Sequence, residues 1–389
     1  MWGMVKLCSG ASRGEDRRSG TGARFGVKRP AMTSDDFRQH VETIIRAIRE
    51  LPACLAVEHW HPGEVVVSGP DADDFLHRVS TAPLRGVPPG VGRRMLFLDA
   101  KGHVKAAATG WKRAEGWALE TELGQAENLV EHLEWFHIRE RLEIRNTSQN
   151  SRKILLLGKE AESTVRGITK SQPEFAVNSA GLAERQIDLD FLTEQDQQTN
   201  STLGTRELQN HAAAWARRFD HPLLPTLELV CPTSQEKHVW SRLRTTAQVV
   251  SQDECEWLRV LFGMWSYGRD VTEERLGPEV TDDERVIGLS KGCYPGQEVV
   301  ARIVSRGHVN WRLRGLSLPA GPKLAPGSEI LVDGKRAGWL TSVANVPGTH
   351  LAVGLGYIRR EFDILGKILL TDAGPVGVHP LPFGLESPG

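Results

Sequence analysis

Cysteine is scarce in this 389-residue chain, and its five residues (Cys8, Cys54, Cys231, Cys255 and Cys293) are odd in number, scattered and never spaced Cys-x-x-Cys. That excludes a local zinc knuckle or dithiol pair and fits a reducing compartment. No apolar run approaches the roughly 18 residues that a membrane-spanning helix needs. An excess of one charge is also missing: 48 Lys and Arg face 49 Asp and Glu, a net charge of −1. Such a balance gives no global field for nucleic acid or an anionic membrane, and no RNA-recognition aromatic motif is present. The Gly-x-Gly-x-x-Gly, P-loop, His-Glu-x-x-His and Gly-x-Ser-x-Gly signatures are absent, which removes several large enzyme classes. Tyrosine is limited to three residues, whereas there are eleven tryptophans.

What remains is ordinary globular composition, 40% hydrophobic and 25% charged, long enough for two or three cores. Met1–Ala31 is rich in Gly, Arg and Ser, poor in large aliphatics, and broken by Glu15-Asp16. Without the apolar core of a secretory signal it is expected to be a disordered tail, or residues upstream of a true start at Met32. A mitochondrial transit peptide is the alternative, and the compartment follows as cytoplasmic or, on that alternative, the mitochondrial matrix.

Asp35–Leu51 carries Phe37, Val41, Ile44, Ile45 and Ile48 at helical spacing. Val65–Ser68 is a short strand, followed by Gly69 and a helix through Ala72, Phe75, Leu76 and Val79. Asp71 and Asp74 suggest a capping box there. Met95–Leu98 and His103–Trp111 pair through Asp99-Ala100-Lys101-Gly102, with Gly102 left-handed. Gln125–Ile138 is a helix. Ile154–Leu157, Gly158 and Glu160–Ile168 repeat the strand–Gly–helix unit, so two similar lobes are expected. Gln195–Thr205 is a polar loop, Thr233–Thr246 a helix capped by Thr233 and Glu236, and Asp253–Phe262 a helix stopped by Gly263. Beyond Gly307 come short strands, including a hairpin through Asp333-Gly334, the pattern of a small β-barrel or sandwich.

The run Lys291-Gly292-Cys293-Tyr294-Pro295-Gly296-Gln297-Glu298 is the most informative stretch. Two glycines and a proline hold one thiol on a shaped turn. A nearby ammonium such as Lys291 favours the thiolate, the reactive form of cysteine. The competing reading is a structural turn around a small buried cysteine. This run, with Val300-Ala301-Arg302 and Arg306-Gly307, resembles the signature of YgfZ-type folate-binding proteins, relatives of the glycine-cleavage T protein. Val65–Phe75, the Asp99-Ala100-Lys101-Gly102 hairpin and His379–Ser387 extend the resemblance over roughly residues 55 to 387.

The resemblance implies an α+β, T-protein-like three-lobed fold, with two similar α/β lobes around a central cavity and a C-terminal β-barrel. The expected divisions are residues 1–32 (tail), 33–145, 146–307 (the two lobes interleaving) and 308–389. It also implies a folate-binding accessory protein, with tetrahydrofolate or a derivative as ligand, that supports iron–sulfur cluster assembly or repair. Partners would be assembly proteins or client enzymes, with no membrane and no direct nucleic acid; any link to tRNA modification would run through client enzymes. Cys293 and Lys291 are the candidate catalytic pair. Candidate folate contacts are Trp60, Trp257, Asp99, Lys101, Gly292, Tyr294, Gly296, Gln297, Glu298, Arg302 and Arg306. Arg312 and Arg314 extend the basic cluster, whose competing reading is a solvated strand face. No resident metal is expected, since iron–sulfur sites ordinarily need four ligands and one cysteine supplies one.

Three departures matter. Trp60 and Trp257 are each displaced by about two residues from the family's folate-contacting tryptophans, and Pro62 and Cys255 occupy the strict positions. The T protein's acidic residue after the hairpin is replaced by Lys105-Ala106, and the glutamate before the helix-ending glycine by Leu261. A folate-dependent aminomethyltransferase or demethylase is therefore the alternative function, and a partner-binding scaffold the third.

Overall fold

The computed structural model describes residues 34–58, 62–169, 182–187, 214–219, 224–321, 324–372 and 374–384, apart from the side chains of residues 34–36 and 306. Three sheets carry the fold. The first runs Gly92–Leu98, Val104–Arg113, Gly116–Thr121, Gly63–Ser68, Glu143–Asn146, every neighbour antiparallel. The second runs Gln248–Ser251, Leu55–Glu58, Ser151–Leu157, Thr226–Pro232, Ala214–Phe219, Leu182–Ile187. Its pair Leu55–Glu58 with Gln248–Ser251 is parallel, so the chain starts in the second sheet before building the first. The third runs Glu329–Val332, Lys335–Asn345, Leu351–Arg359, Trp311–Pro319, Gly374–His379, Ile368–Thr371, and its edge strands approach one another to nearly close a barrel.

The two lobes repeat one device. Gly69 and Gly158 each leave a buried strand with φ near +130° (131° and 134°) before a helix begins. A Cβ would meet a backbone carbonyl at 2.4 Å from Gly69 and 2.3 Å from Gly158, so only glycine fits either corner. The helices that follow, Ala72–Val79 and Ala161–Arg166, bury Phe75 and Leu76 in the first lobe and Ala161 and Val165 in the second.

Both expected caps lost their side chains to other partners. Asp71 accepts from the backbone N–H of Arg141 at 2.8 Å and from its guanidinium, while Asp74 pairs with Arg85. Thr233 opens a 3-10 turn and donates to the carbonyl of Gln149, and Glu236 pairs with Arg152 instead of closing a box. A charge-assisted bond outcompetes a neutral cap where a guanidinium is in reach. The working capping box is Ser251 with Glu254, heading Gln252–Leu261. Several elements were not foreseen, among them the helix Gln297–Arg306, which places Arg302 on a helix rather than a strand, and the strands Leu55–Glu58, Gly116–Thr121, Thr226–Pro232 and Gly374–His379. The polar stretch Gln195–Thr205 and the Met1–Ala31 segment lie outside the described residues.

The largest apolar cluster joins all three parts, from Ile44 and Leu55 through Leu96, Leu258 and Tyr294 to Leu313 and Phe383. The first helix, Ser34–Arg49, docks on the third sheet: Phe37 stacks on His379 at 4.6 Å, and Ser317 Oγ lies 3.0 Å from both His40 Nδ1 and His379 Nε2. Burial, reinforced by His40, pushes His379 down to about 3; burial beside Phe97 and Phe136, with Lys105 adding to it, pushes His132 down to about 4. Between these values and the ordinary histidine pKa near 6.5 the unfolded chain binds more protons than the folded one, so stability rises with pH across that window. Thermal unfolding is therefore expected at a clearly lower midpoint at pH 4.5 than at pH 7, and replacing His379 by glutamine should flatten the profile. A wild-type midpoint unchanged across the window would contradict this. Among the described residues no helix is long and apolar enough to cross a membrane.

Candidate functional site

The two sequence motifs meet. The hairpin Asp99–Gly102 and the turn before Gln297–Arg306 are packed backbone to backbone at their glycines. Gly296 is left-handed (φ 77°), and a Cβ there would fall 2.5 Å from the Asp99 carbonyl oxygen and 2.9 Å from Gly102 Cα. Gly102 is itself left-handed and faces Val299. Asp99 organises the hairpin, accepting from the backbone N–H groups of Lys101 (2.8 Å) and His103 (2.9 Å). Although burial alone would raise it, these amides hold its carboxyl below the ordinary range.

Cys293 stands exposed on this platform, as does Gly292. Lys291 corrects the sequence expectation. Its ammonium donates to the carbonyls of His77, Ser80 and Ala82, which uses its three donors to close the C-terminal end of Ala72–Val79. It also sits 4.8 Å above the Tyr294 ring, and burial draws its pKa down to about 7. These bonds make Lys291 a tether between the loop and the first lobe, not the thiol's counter-ion.

The other candidates divide by burial. Tyr294 is buried and Gln297 donates to the Lys291 carbonyl at 3.3 Å, so both brace the loop. Glu298 and Arg302 pair on an exposed helix face, and Lys101 is exposed. Arg306 ends that helix, its side chain outside those described. Arg312 pairs with Asp282 and Asp363, and Arg314 grips Asp363 with both nitrogens at 2.6 and 2.8 Å, so neither is free to clamp a ligand. Trp257 is buried in the central core at 2% exposure, and Trp60 lies outside the described residues. Of the described candidates only Arg314, held by Asp363, lines a central cleft, the one nearer the third sheet.

The central clefts are built mainly by other residues. One, of about 140 Å³, lies between the first sheet (Ala107, Thr109, Glu120, Glu122), Arg259 of the helix Gln252–Leu261, and the segment after that helix. A second, of about 240 Å³, continues toward Asp283 and the third sheet at Leu313. Arg94, Phe219, Met264 and Trp265 line both, so one wall is common. Together they reach the roughly 300–1,000 Å³ typical of small-molecule sites. The aromatic wall comes from Met264-Trp265-Ser266-Tyr267, framed by Gly263 (φ 63°) and Gly268 (φ 92°). Tyr267 donates to the Lys105 carbonyl at 2.6 Å, fixing its ring at the mouth. The Arg94 side chain makes no hydrogen bond among the described residues; Asp283 is the carboxylate that acts on its charge, opposed by Arg285.

Behind the cleft lies a buried ion cluster. Arg217, fully buried, donates to Glu184 (2.9 Å), Glu120 (2.6 Å), Glu228 (2.7 Å) and Glu64 (2.9 Å), joining the two lobes. Lys153 approaches Glu64 at 3.7 Å and Arg113 pairs with Glu184. Four carboxylates against these three cations leave one negative charge too many. Burial, then the neighbouring Glu228, raises Glu120 well above the ordinary range, so the surplus is met by a proton on Glu120. Burial likewise raises Glu122 on the same wall. The cleft is thus lined by aromatic rings, one guanidinium without a hydrogen-bond partner and a neutral carboxyl. Cys293 lines neither cleft. Among the described residues no three His, Cys, Asp or Glu side chains are grouped to hold a metal ion.

No protein-family model matches the chain. It is 26% identical to the tRNA-modifying protein YgfZ of Serratia proteamaculans over 87% of this chain and 95% of that one. It is 28% identical to an iron–sulfur cluster assembly factor IBA57 homolog, mitochondrial, of Pyricularia oryzae, over 64% of this chain and 54% of that one. The glycine cleavage system aminomethyltransferase T of Bartonella henselae superposes with a TM-score of 0.69 at 16% identity, covering 88% of this chain and 90% of that one. The chain is thus similar in sequence to YgfZ-type proteins and has the fold of the glycine-cleavage T protein.

Proposed function

We propose that this chain binds a reduced folate in the paired central clefts and acts as an accessory factor in iron–sulfur cluster assembly or repair. The observation that carries the first part is the shared wall of Trp265, Phe219 and Arg94. Flat aromatic faces suit a pterin ring, and a guanidinium lacking a hydrogen-bond partner suits the carboxylates of a folate tail. The protonated Glu120 carboxyl offers both a donor and an acceptor to a heterocycle, and burial raises Glu122 beside it. Folate would bring one-carbon chemistry; these side chains bind it, orient it and exclude water. The second part rests on the relatives' names and on the exposed Cys293, and a cluster handled there would be cargo whose other ligands come from a client.

A one-carbon transferase is the weaker reading. The position after the hairpin that would need a carboxylate holds Lys105, and its ammonium is engaged by Glu273.

Titration with tetrahydrofolate, followed by tryptophan fluorescence, is expected to show saturable quenching. Trp265→Ala should weaken binding by about tenfold or more, the loss of one stacking face. Undiminished affinity in that variant would move the ligand elsewhere; no binding by the wild type would favour a scaffold.

A further inference from the structure

A second concave site lies on the third sheet, about 370 Å³ in volume and sharing no residue with the central clefts. Trp339 and Tyr357 are cross-strand partners whose rings stack at 5.0 Å with 20° between planes. Trp311, on the strand beyond, meets Trp339 edge-on at 4.8 Å. Two guanidiniums cover this row: Arg336 lies 4.9 Å from the Trp339 ring and 5.8 Å from Trp311, while Arg275 lies 5.1 Å from Trp339 and 5.2 Å from Tyr357. The Tyr357 hydroxyl is buried without a hydrogen-bond partner.

Packing accounts for Tyr357, which belongs to the central core, but not for the rest. Trp311 and Trp339 are only half-buried, so the aromatic row runs out of the core to the surface. The Arg336 side chain is 50% exposed and its partner Glu329 52% exposed, an ion pair that solvent screens and that contributes little. Asp270 in the floor is already satisfied by Arg259, Thr341 and Ser342, and Arg275 pairs with Glu274 and Glu279, so the exposed Arg336 is the cation most available at the mouth. Half-exposed indoles beside the exposed guanidinium of Arg336 form a platform for a flat ring that carries negative charge.

We propose that this pocket binds a nucleotide, its base against Trp311 and Trp339 and its phosphate on Arg336. The volume suits one nucleotide unit, and the near-zero net charge argues against a long nucleic-acid footprint. The unit can come from a free nucleotide or from the end of a single-stranded RNA.

The test is calorimetric titration of the full-length protein with adenosine monophosphate and, separately, with a five-nucleotide single-stranded RNA. Saturable binding of the mononucleotide is expected, weakened at least about tenfold by Arg336→Glu and by Trp311→Ala. Oligonucleotide affinity above that of the mononucleotide, falling steeply with salt, identifies RNA as the source; equal affinity identifies the free nucleotide. Arg336 is exposed, so its variant keeps the test decisive should the tryptophan variant misfold. Absence of binding by the wild type, wild-type affinity in Arg336→Glu, or displacement of the nucleotide by tetrahydrofolate overturns the proposal. Because tetrahydrofolate binding is read at Trp265, failure here leaves that site's test untouched.

Discussion

Arg217→Met is expected to cost roughly 3–5 kcal/mol of stability, enough to leave much of the protein unfolded at 37 °C. The reasoning is one of stranded charge. Arg217 lies at 0% side-chain exposure and all four glutamates that it binds are buried. Burial alone would raise Glu64, but Lys153 and Arg217 more than offset this and hold it well below the ordinary carboxylate range. Glu64 therefore adds stability above its unfolded pKa near 4.5, lost as pH falls through the folded value. Without the guanidinium, the remaining carboxylates must ionise with Lys153 and Arg113 alone, or take up protons. The variant's deficit should hence be largest near pH 7 and shrink toward pH 4.5, measured by denaturant midpoints at both. Glu120→Gln is the companion: a side chain already holding a proton is replaced by a neutral near-isostere, with an expected change within about 1 kcal/mol. A methionine variant as stable as the glutamine one would refute the charge assignment.

That cluster also explains why parts of the molecule were hidden in the sequence. Its members sit on strands from residue 64 to residue 228, and no local pattern marks a glutamate on a strand as buried. The strand–Gly–helix units were legible because the corner acts locally: only glycine tolerates the positive φ and the nearby carbonyl at Gly69 and Gly158. The hairpin at Asp333-Gly334 was legible for the same reason, with both residues at positive φ (50° and 71°). Caps failed at Asp71 and Thr233 because their partners, Arg141 and Gln149, lie 70 and 84 residues away. The cleft residues Arg94, Phe219 and Trp265 come from three separate segments, so their juxtaposition is a property of the fold. One signal was available: glycines at 263 and 268 bracket Met264, Trp265 and Tyr267, a short aromatic loop held open by two left-handed corners.

The Cys293 loop supports the second large prediction. In cells lacking this protein, Cys293→Ser is expected to fail to restore cluster-dependent enzyme activity, while remaining as stable as the wild type, because an exposed thiol contributes little packing. Gly296→Ala keeps the thiol but removes the seat beneath it. A left-handed alanine is strained, and its methyl would collide with the Asp99 carbonyl at 2.5 Å, so hairpin and loop must separate. The cost is about 1–3 kcal/mol from the backbone alone, with the contact adding to it. Loss of rescue by both variants, with stability lowered only in Gly296→Ala, would tie the function to a sulfur held at this place. Full rescue by Cys293→Ser would remove the thiol from the mechanism, and the motif would then serve to lock hairpin, helix and Lys291 tether together. The two outcomes separate cleanly, because the bracing groups Tyr294, Gln297 and Lys291 are untouched by exchanging one exposed sulfur for oxygen.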